Sequence, residues 1–400
     1  MTRRTTRIAA KNKFPSRFFS LHARVGSMQF PSLEELKARG TRKWTVYGED
    51  VLPLWIAESD FDTAPAVKQV LEKALKKQTF GYTPAPKTSG LNEALADFYG
   101  SRYGWRPNPK QIFWIGDVVR GLLVGLQYFT RPGSAVVVPV PSYPPLLELP
   151  ETAGREKIET SLELDDIERA FQAGAGSILL SNPYNPLGIV FDEEYLTALV
   201  ALAEKYDARI LSDEIHAPLV FNGKHIPVAS LGEAGARRAL TVTATSKAWN
   251  TAGLKCAQII FSNADDVATW NSLTGVAKDG TGTLGVLAAE AAYRDQEFLD
   301  EELEYLRETR DWLVEELPKR VPGLKSSQPD ATYLLWLDFR ETAIGDNPQP
   351  AKWLREHAKV AFNEGETFGT GGSHHARLNF ATSREILEEA LNRLENAFER

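Results

Sequence analysis

From residue 112 onward one pattern recurs: a short apolar run, then a cluster of residues that strands and helices avoid, then a segment with apolar residues at helical spacing. Ile112-Phe-Trp-Ile115 leads into Gly116-Asp-Val-Val119, and Ala135-Val-Val-Val138 into Pro139-Val-Pro-Ser-Tyr-Pro144. Ser177-Ile-Leu-Leu180 leads into Asn182-Pro-Tyr-Asn-Pro-Leu-Gly188, and Arg209-Ile-Leu211 into Asp213-Glu-Ile-His216. A β-branched run around Val242 stops at Ser246 and delivers Lys247. A strand with one wet face alternates apolar and polar residues, whereas a run that is apolar throughout is covered on both faces. Helices must therefore flank a mostly parallel central sheet, which is the α/β class. The unusual residues all follow their strands, so they gather at the carboxyl edge, where open sheets of this kind bind ligands.

Outside that region the chain is arranged differently. Ser32-Leu-Glu-Glu-Leu-Lys begins like a capped helix, Leu52 to Ile56 reads as a short strand closed by Ala57-Glu-Ser-Asp-Phe61, and Pro65 to Lys77 has helical spacing. A helix-rich run from Val286 to Leu317 precedes two strands, Tyr333–Asp338 and Ala376–Phe380, with a helix at Ala351–His357 between them. This predicts a large ligand-binding domain over 76–300 and a smaller α/β C-terminal domain over 301–400, against which the segment 28–75 packs. Residues 1–27 carry seven Lys or Arg and no acid, and are expected to be a disordered basic leader outside the fold.

Composition narrows the function. A net charge of −7 disfavours nucleic-acid binding, because phosphate backbones reward basic surfaces. No apolar stretch reaches the roughly 18–20 residues of a membrane span, so neither nucleic acid nor membrane is expected as a partner. The single cysteine, Cys256, cannot form an intrachain disulfide, so nothing demands an oxidising compartment and a cytoplasmic location is expected. His374 and His375 are adjacent and would face opposite ways on a strand, so no metal site is expected.

Lys247 taken alone is either a solvated cation or an amine held for covalent chemistry with a carbonyl. The groups around it favour the second reading, because together they match what pyridoxal 5'-phosphate requires. The cofactor needs an acid at its pyridine nitrogen, and Asp213 follows a strand in the right place, although alone it reads equally as a helix N-cap. Asn185, between two prolines that stiffen the backbone, can hold its amide toward a ligand oxygen, or can simply belong to a structural turn. Tyr143 can cover a flat ring or pack. The N–H groups of Val118 and Val119, at the start of a helix, can point at a phosphate; Ser246 and Lys255 can add a hydroxyl and a charge. Arg377, between Gly369-Thr-Gly-Gly372 and an apolar strand, offers a planar fork for a substrate carboxylate.

With these residues assembled, the chain resembles the fold-type I pyridoxal-phosphate enzymes of the class I/II aminotransferase superfamily. More narrowly it resembles the MalY/PatB group of cystathionine β-lyases. The resemblance runs from Trp55-Ile-Ala-Glu-Ser-Asp-Phe61 to Arg377-Leu-Asn-Phe-Ala381, and its most group-specific pieces are Ser212–Val220, His225–Leu231 and Gly365-Glu-Thr-Phe-Gly369. It implies that Lys247 carries the cofactor, Asp213 pairs with the ring nitrogen, Asn185 bonds the phenolic oxygen, Tyr143 stacks and Arg377 binds the substrate α-carboxylate. It also implies that His216 stands where many aminotransferases have tyrosine, that Lys255 replaces a phosphate-binding arginine, and that Tyr82 reaches the phosphate of a neighbouring subunit in a homodimer. The chain departs from the pattern in two places. Glu58-Ser59 stands where the group often has Asp-Met, and Asp117 beside the phosphate cradle is expected to point away.

The activity so implied is α,β-elimination on L-cystathionine or a related S-amino acid, giving a thiol, pyruvate and ammonia, with Lys247 as base. The alternative is a class I/II aminotransferase, which would use the same residues.

Overall fold

The computed structural model describes residues 24, 25 and 28–399; the expected basic leader therefore lies outside the described residues except at Arg24 and Val25. The pattern that begins at residue 112 builds a seven-stranded sheet: β1 (Ile112–Ile115), β2 (Val136–Pro139), β3 (Lys157–Thr160), β4 (Ser177–Ser181), β5 (Arg209–Asp213), β6 (Ala239–Ala244) and β7 (Ala257–Ile260). Their spatial order is β1-β7-β6-β5-β4-β2-β3. From β6 to β3 every pairing is parallel, while β7 runs antiparallel to both β6 and β1. The sheet is mixed, as a mostly parallel reading allows.

Strand pleating explains the unbroken apolar runs. Val136 and Val138 belong to one core with Leu179 and Leu211, under the helices Val118–Tyr128 and Pro144–Thr152. Val137, Ile178, Leu180 and Ile210 belong to a second core, under the helices Leu164–Gln172 and Glu193–Lys205. Successive side chains point to opposite faces, and both faces are dry. The helix Val118–Tyr128 lies so close over β5 and β6 that a Cβ on Gly121 would come within 2.7 Å of Val242, and one on Gly125 within 2.5 Å of Leu211.

A second sheet, antiparallel throughout, holds β8 (Lys325–Ser326), β9 (Leu334–Asp338), β10 (Asn363–Glu364) and β11 (His375–Asn379) in the order β8-β9-β11-β10. The N-terminal segment is stitched to it. Leu52–Pro53 pairs in parallel with Val360–Ala361, the Asn379 N–H donates to Leu54 O at 2.9 Å, and the Asp60 N–H donates to Ala381 O at 2.9 Å. Lys43 and Asp60, both buried, form an ion pair at 2.7 Å beneath this seam.

One local expectation needs correction, and three details go beyond the sequence reading. The strand before Lys247 ends at Ala244 rather than Ser246, and Thr245–Trp249 is a turn closed by Trp249 N–H to Thr245 O at 3.0 Å. Cys256 lies just before β7, next to Lys255, whose φ is +54°. The helical run after Gly285 is two helices, Thr283–Arg294 and Gln296–Arg320, separated at Asp295, whose carboxylate caps the second by accepting from Phe298 N–H at 3.4 Å. Strand β3 has no counterpart in the sequence reading, since its partly exposed Lys157-Ile-Glu-Thr160, at the sheet edge, carries no apolar run.

Candidate active site

Lys247 reaches from the turn after β6 and donates to Ala57 O at 2.8 Å. Burial, followed by the nearby Arg377 charge, brings its ammonium down to about 8, against opposing pulls from Asp213 and Glu58. A lysine in this condition has a substantial neutral fraction near physiological pH, so its lone pair is available.

Asp213 ends β5 and is buried. Its Oδ1 accepts from Ile215 N–H at 3.1 Å, and Oδ2 has no partner among the described residues. Burial raises the carboxyl to about 7; a cation placed at Oδ2 would return it to the ionised form. The N-cap alternative does not apply: Asp213 closes a strand and bonds two residues onward, with no helix following until the 3-10 turn at Ala217–Leu219.

Arg377 lies on β11 with 1% of its surface exposed. Its Nη1 donates to Asn185 Oδ1 at 3.1 Å and its Nη2 to Trp55 O at 3.2 Å, while Nε has no partner among the described residues. The guanidinium lies 5.0 Å from the centre of the Phe368 ring. No carboxylate pairs with it among the described residues, and burial draws its pKa down to about 10. A buried cation without a counter-ion is expensive unless an anion arrives.

Asn185 is buried in the turn after β4, which Gly188 closes at φ +68° with its Cα against Pro329. With Oδ1 taken by Arg377, its Nδ2 remains free to donate. Tyr143 precedes the helix Pro144–Thr152, and its hydroxyl is raised mainly by burial and also feels Arg377 and Asp213. His216 is buried, its Nδ1 without a partner among the described residues, and burial together with Lys247 and Arg377 keeps it neutral. Lys247, Asp213, Arg377, Asn185, Tyr143 and His216 are thus brought to one place.

At the helix Val118–Tyr128 the first N–H groups, of Val118 and Val119, have no acceptor within the helix. Asp117 does not point away as expected. Its Oδ1 caps the helix at Arg120 N–H, 2.8 Å, and its Oδ2 accepts from Lys255 at 2.9 Å. This pair is exposed, at 58% for the lysine side chain and 42% for the aspartate, so it is weak enough to yield to a stronger anion. Ser246 is half-buried beside Lys247. Tyr82 is fully exposed and joins no contact with these residues in its own chain.

Several contributors have no signature that the sequence reading used. The carbonyls of Trp55 and Ala57 hold Arg377 and Lys247, and Tyr333 donates its hydroxyl to the same Ala57 O at 3.1 Å. Asn379 Nδ2 pins Ile56 O at 2.6 Å and Glu58 O at 2.8 Å. Behind Asp213 the buried Glu214 accepts from His225 Nε2 at 3.0 Å, Tyr99 OH at 3.3 Å, Ser212 Oγ at 3.1 Å and Val228 N–H at 3.2 Å. The acid beside Asp213 and the histidine eleven residues on were visible, but their pairing was not.

Together these groups can take a flat ligand with a ring cation for Asp213, an oxygen for Asn185, a phosphate for the helix start, and a separate carboxylate for Arg377. No cluster of three or more His, Cys, Asp or Glu among the described residues is arranged to hold a metal, and no described helix is long and apolar enough to cross a membrane.

Comparison with known proteins agrees with this geometry. Over 371 residues the chain is 53% identical to a Corynebacterium glutamicum protein named cystathionine beta-lyase, covering 92% of this chain and 99% of that one. It is 33% identical to cystathionine beta-lyase PatB of Bacillus subtilis, covering 92% of this chain and 100% of that one. A crystal structure of a candidate PLP-dependent beta-cystathionase from Corynebacterium diphtheriae superposes with a TM-score of 0.91 at 53% identity, covering 93% of this chain and 99% of that one. Residues 49–394 match the family model described as aminotransferase class I and II, and the chain belongs to that family.

Proposed function

We propose that this protein is a pyridoxal-phosphate-dependent carbon–sulfur β-lyase that cleaves L-cystathionine or a related S-substituted cysteine. Relatives named for that activity, at 53% and 33% identity over nearly the whole chain, support it. The site also fits the cofactor: a buried carboxyl with an open oxygen, an amide with a free donor, and a helix start with unused N–H groups are the partners its ring and phosphate call for. The observation that carries the reading is the pairing of Lys247 and Arg377 on one short loop, where Ala57 O holds the amine and Trp55 O holds the guanidinium.

When bound, the cofactor supplies an aldehyde for an amine and a cationic ring that withdraws electrons from the substrate Cα. In our reading Asp213, ionised by that cation, would hold the ring nitrogen in its protonated form, and Asn185 Nδ2 would donate to the phenolic oxygen. Tyr143 would cover the ring, with the neutral His216 beside the same site. The N–H groups of Val118 and Val119, the Ser246 hydroxyl and Lys255 would hold the phosphate, the exposed Lys255–Asp117 pair being weak enough to yield. Arg377 receives the substrate α-carboxylate. Lys247 would hold the cofactor through its Nζ, and with substrate bound the same Nζ is the base placed to take the Cα proton and hand a proton to the departing sulfur. The C–S bond breaks, and water completes the conversion to thiol, pyruvate and ammonia.

The same reading places a second copy of the chain beside the first, with the exposed Tyr82 reaching its neighbour's phosphate, and locates the protein in the cytoplasm. It assigns cofactor binding to 76–300 and the substrate clamp to 301–400, with 28–75 crossing between them.

A product assay tests it. The purified protein with cystathionine is expected to release pyruvate, and Lys247→Ala is expected to lose at least about 10³ of that rate and any borohydride-trappable adduct at residue 247. Amino-group exchange that requires a keto acid, with no pyruvate from cystathionine, would instead make the protein an aminotransferase.

A further inference from the structure

One acid at this site has no part in the reading above. The loop that holds Arg377 through Trp55 O and Lys247 through Ala57 O continues directly into Glu58. Its backbone is immobilised there. The Glu58 N–H closes a tight turn on Ile56 O at 2.8 Å, and Glu58 O accepts from Lys43 Nζ at 3.0 Å and Asn379 Nδ2 at 2.8 Å. The side chain is anchored too, with Oε1 accepting from Thr41 Oγ1 at 2.6 Å.

What it lacks is a charge partner. Glu58 Oε2 has no hydrogen-bond partner among the described residues, and no basic side chain among them forms an ion pair with Glu58. The contrast with Asp60, two residues on, is informative. Asp60 takes Lys43 Nζ at 2.7 Å and Trp44 Nε1 at 2.9 Å, so Lys43 is already engaged. A half-buried carboxylate whose side chain has only a neutral donor is under-compensated, and a fixed rotamer with one free oxygen is prepared for a cation. The charge lies near the chemistry, since both Lys247 and Tyr333 feel it.

We propose that Glu58 is a specificity-determining residue whose free carboxylate oxygen receives an ammonium on the leaving-group half of the substrate. The proposal rests on the C–S lyase reading and names its substrate class: S-substituted cysteines whose departing thiol carries a protonated amine. Arg377 grips the α-carboxylate, Lys247 stands at the reacting carbon, and Glu58, next along the loop, grips the distal cation. A thioether ending in a neutral or anionic group leaves that oxygen unmatched.

The test compares L-cystathionine with S-(3-carboxypropyl)-L-cysteine, which differs only in lacking the distal amine. The holoenzyme is expected to favour cystathionine in kcat/KM by about 10- to 100-fold, the range of a hydrogen bond to a charged group. Glu58→Gln keeps an acceptor for Thr41 and is expected to bring the two substrates within about threefold, with the loss falling on KM for cystathionine alone. Competitive inhibition by the sulfur-free analogues 2,7-diaminosuberate and 2-aminosuberate reads the same preference without any bond breaking. No preference in the wild-type protein, or an equal loss on both substrates in Glu58→Gln, would overturn the proposal, the latter showing that Glu58 acts through Lys247. Absence of pyruvate from either thioether would defeat the lyase reading, while the two inhibition constants would still decide the role of Glu58. Thr41→Val, which frees the carboxylate without removing it, is expected to weaken discrimination part-way and serves if Glu58→Gln does not fold.

Discussion

Arg377 and Asn185, 192 residues apart in the chain, meet side chain to side chain, with Nη1 donating to Oδ1 at 3.1 Å. The contact joins β11 of the second sheet to the turn after β4 of the first. It orients both groups at once: the guanidinium is aimed by an amide oxygen, and the amide nitrogen is thereby turned to its other side.

That geometry makes Arg377→Lys a non-conservative change. Lysine keeps the charge but has no planar fork to span Asn185, Trp55 O and a carboxylate together. KM for the amino-acid substrate is expected to rise about 10- to 100-fold with a smaller change in kcat, measured by pyruvate release.

Asp213 gives the cofactor-free protein a pH dependence of definite sign. Its carboxyl, normally near 3.8, is raised to about 7 by burial, so between those values the folded state holds a proton that the unfolded state has lost. The associated stability is fully present below the usual carboxylate range and disappears as pH rises through about 7, with an upper bound of about 4 kcal/mol. Asp213→Asn cannot titrate. Its stability relative to wild type is expected to improve as the pH of thermal melts rises across that window, and a constant difference would contradict the assignment.

Glu214 is the acceptor for four buried or half-buried donors: Tyr99, His225, Ser212 and the Val228 N–H. Glu214→Ala leaves them unmatched in a dry site and is expected to cost about 3–5 kcal/mol, read as a loss in denaturant midpoint. Glu214→Gln, with one oxygen left and an amide facing donors, should fall between. His225 Nδ1 is buried with no hydrogen-bond partner among the described residues.

Tyr82 carries the expectation of a second subunit, because its side chain is fully exposed in the single chain. Sedimentation equilibrium is expected to give twice the 44.4 kDa chain mass, and Tyr82→Phe to weaken cofactor retention about 5- to 10-fold in equilibrium dialysis without changing that mass. A monomer at micromolar concentration would remove Tyr82 from the site.

How far the sequence reached follows from what local patterns encode. Uninterrupted apolar runs report burial on both faces, so β2, β4, β5 and β6 and the ligand edge that they share could be read from Val136, Ile178, Ile210 and Val242 onward. The family relationship could also be read, because its motifs are contiguous. Periodicity reports neither strand order nor direction, so the antiparallel insertion of β7 between β6 and β1 was not legible. Nor was β3, whose edge position leaves it polar.

The sequence by itself determined which chemical groups exist and that Asp213, Asn185 and Lys247 follow parallel strands at one edge, since strand and turn preferences act over a few residues. Only the tertiary structure decided that the Trp55–Glu58 loop crosses from the second sheet to hold Arg377 and Lys247, that Asp117 engages Lys255, and that Glu58 is left without a cation. Those outcomes depend on which distant side chains meet after the two sheets dock, and no local preference specifies that competition for partners.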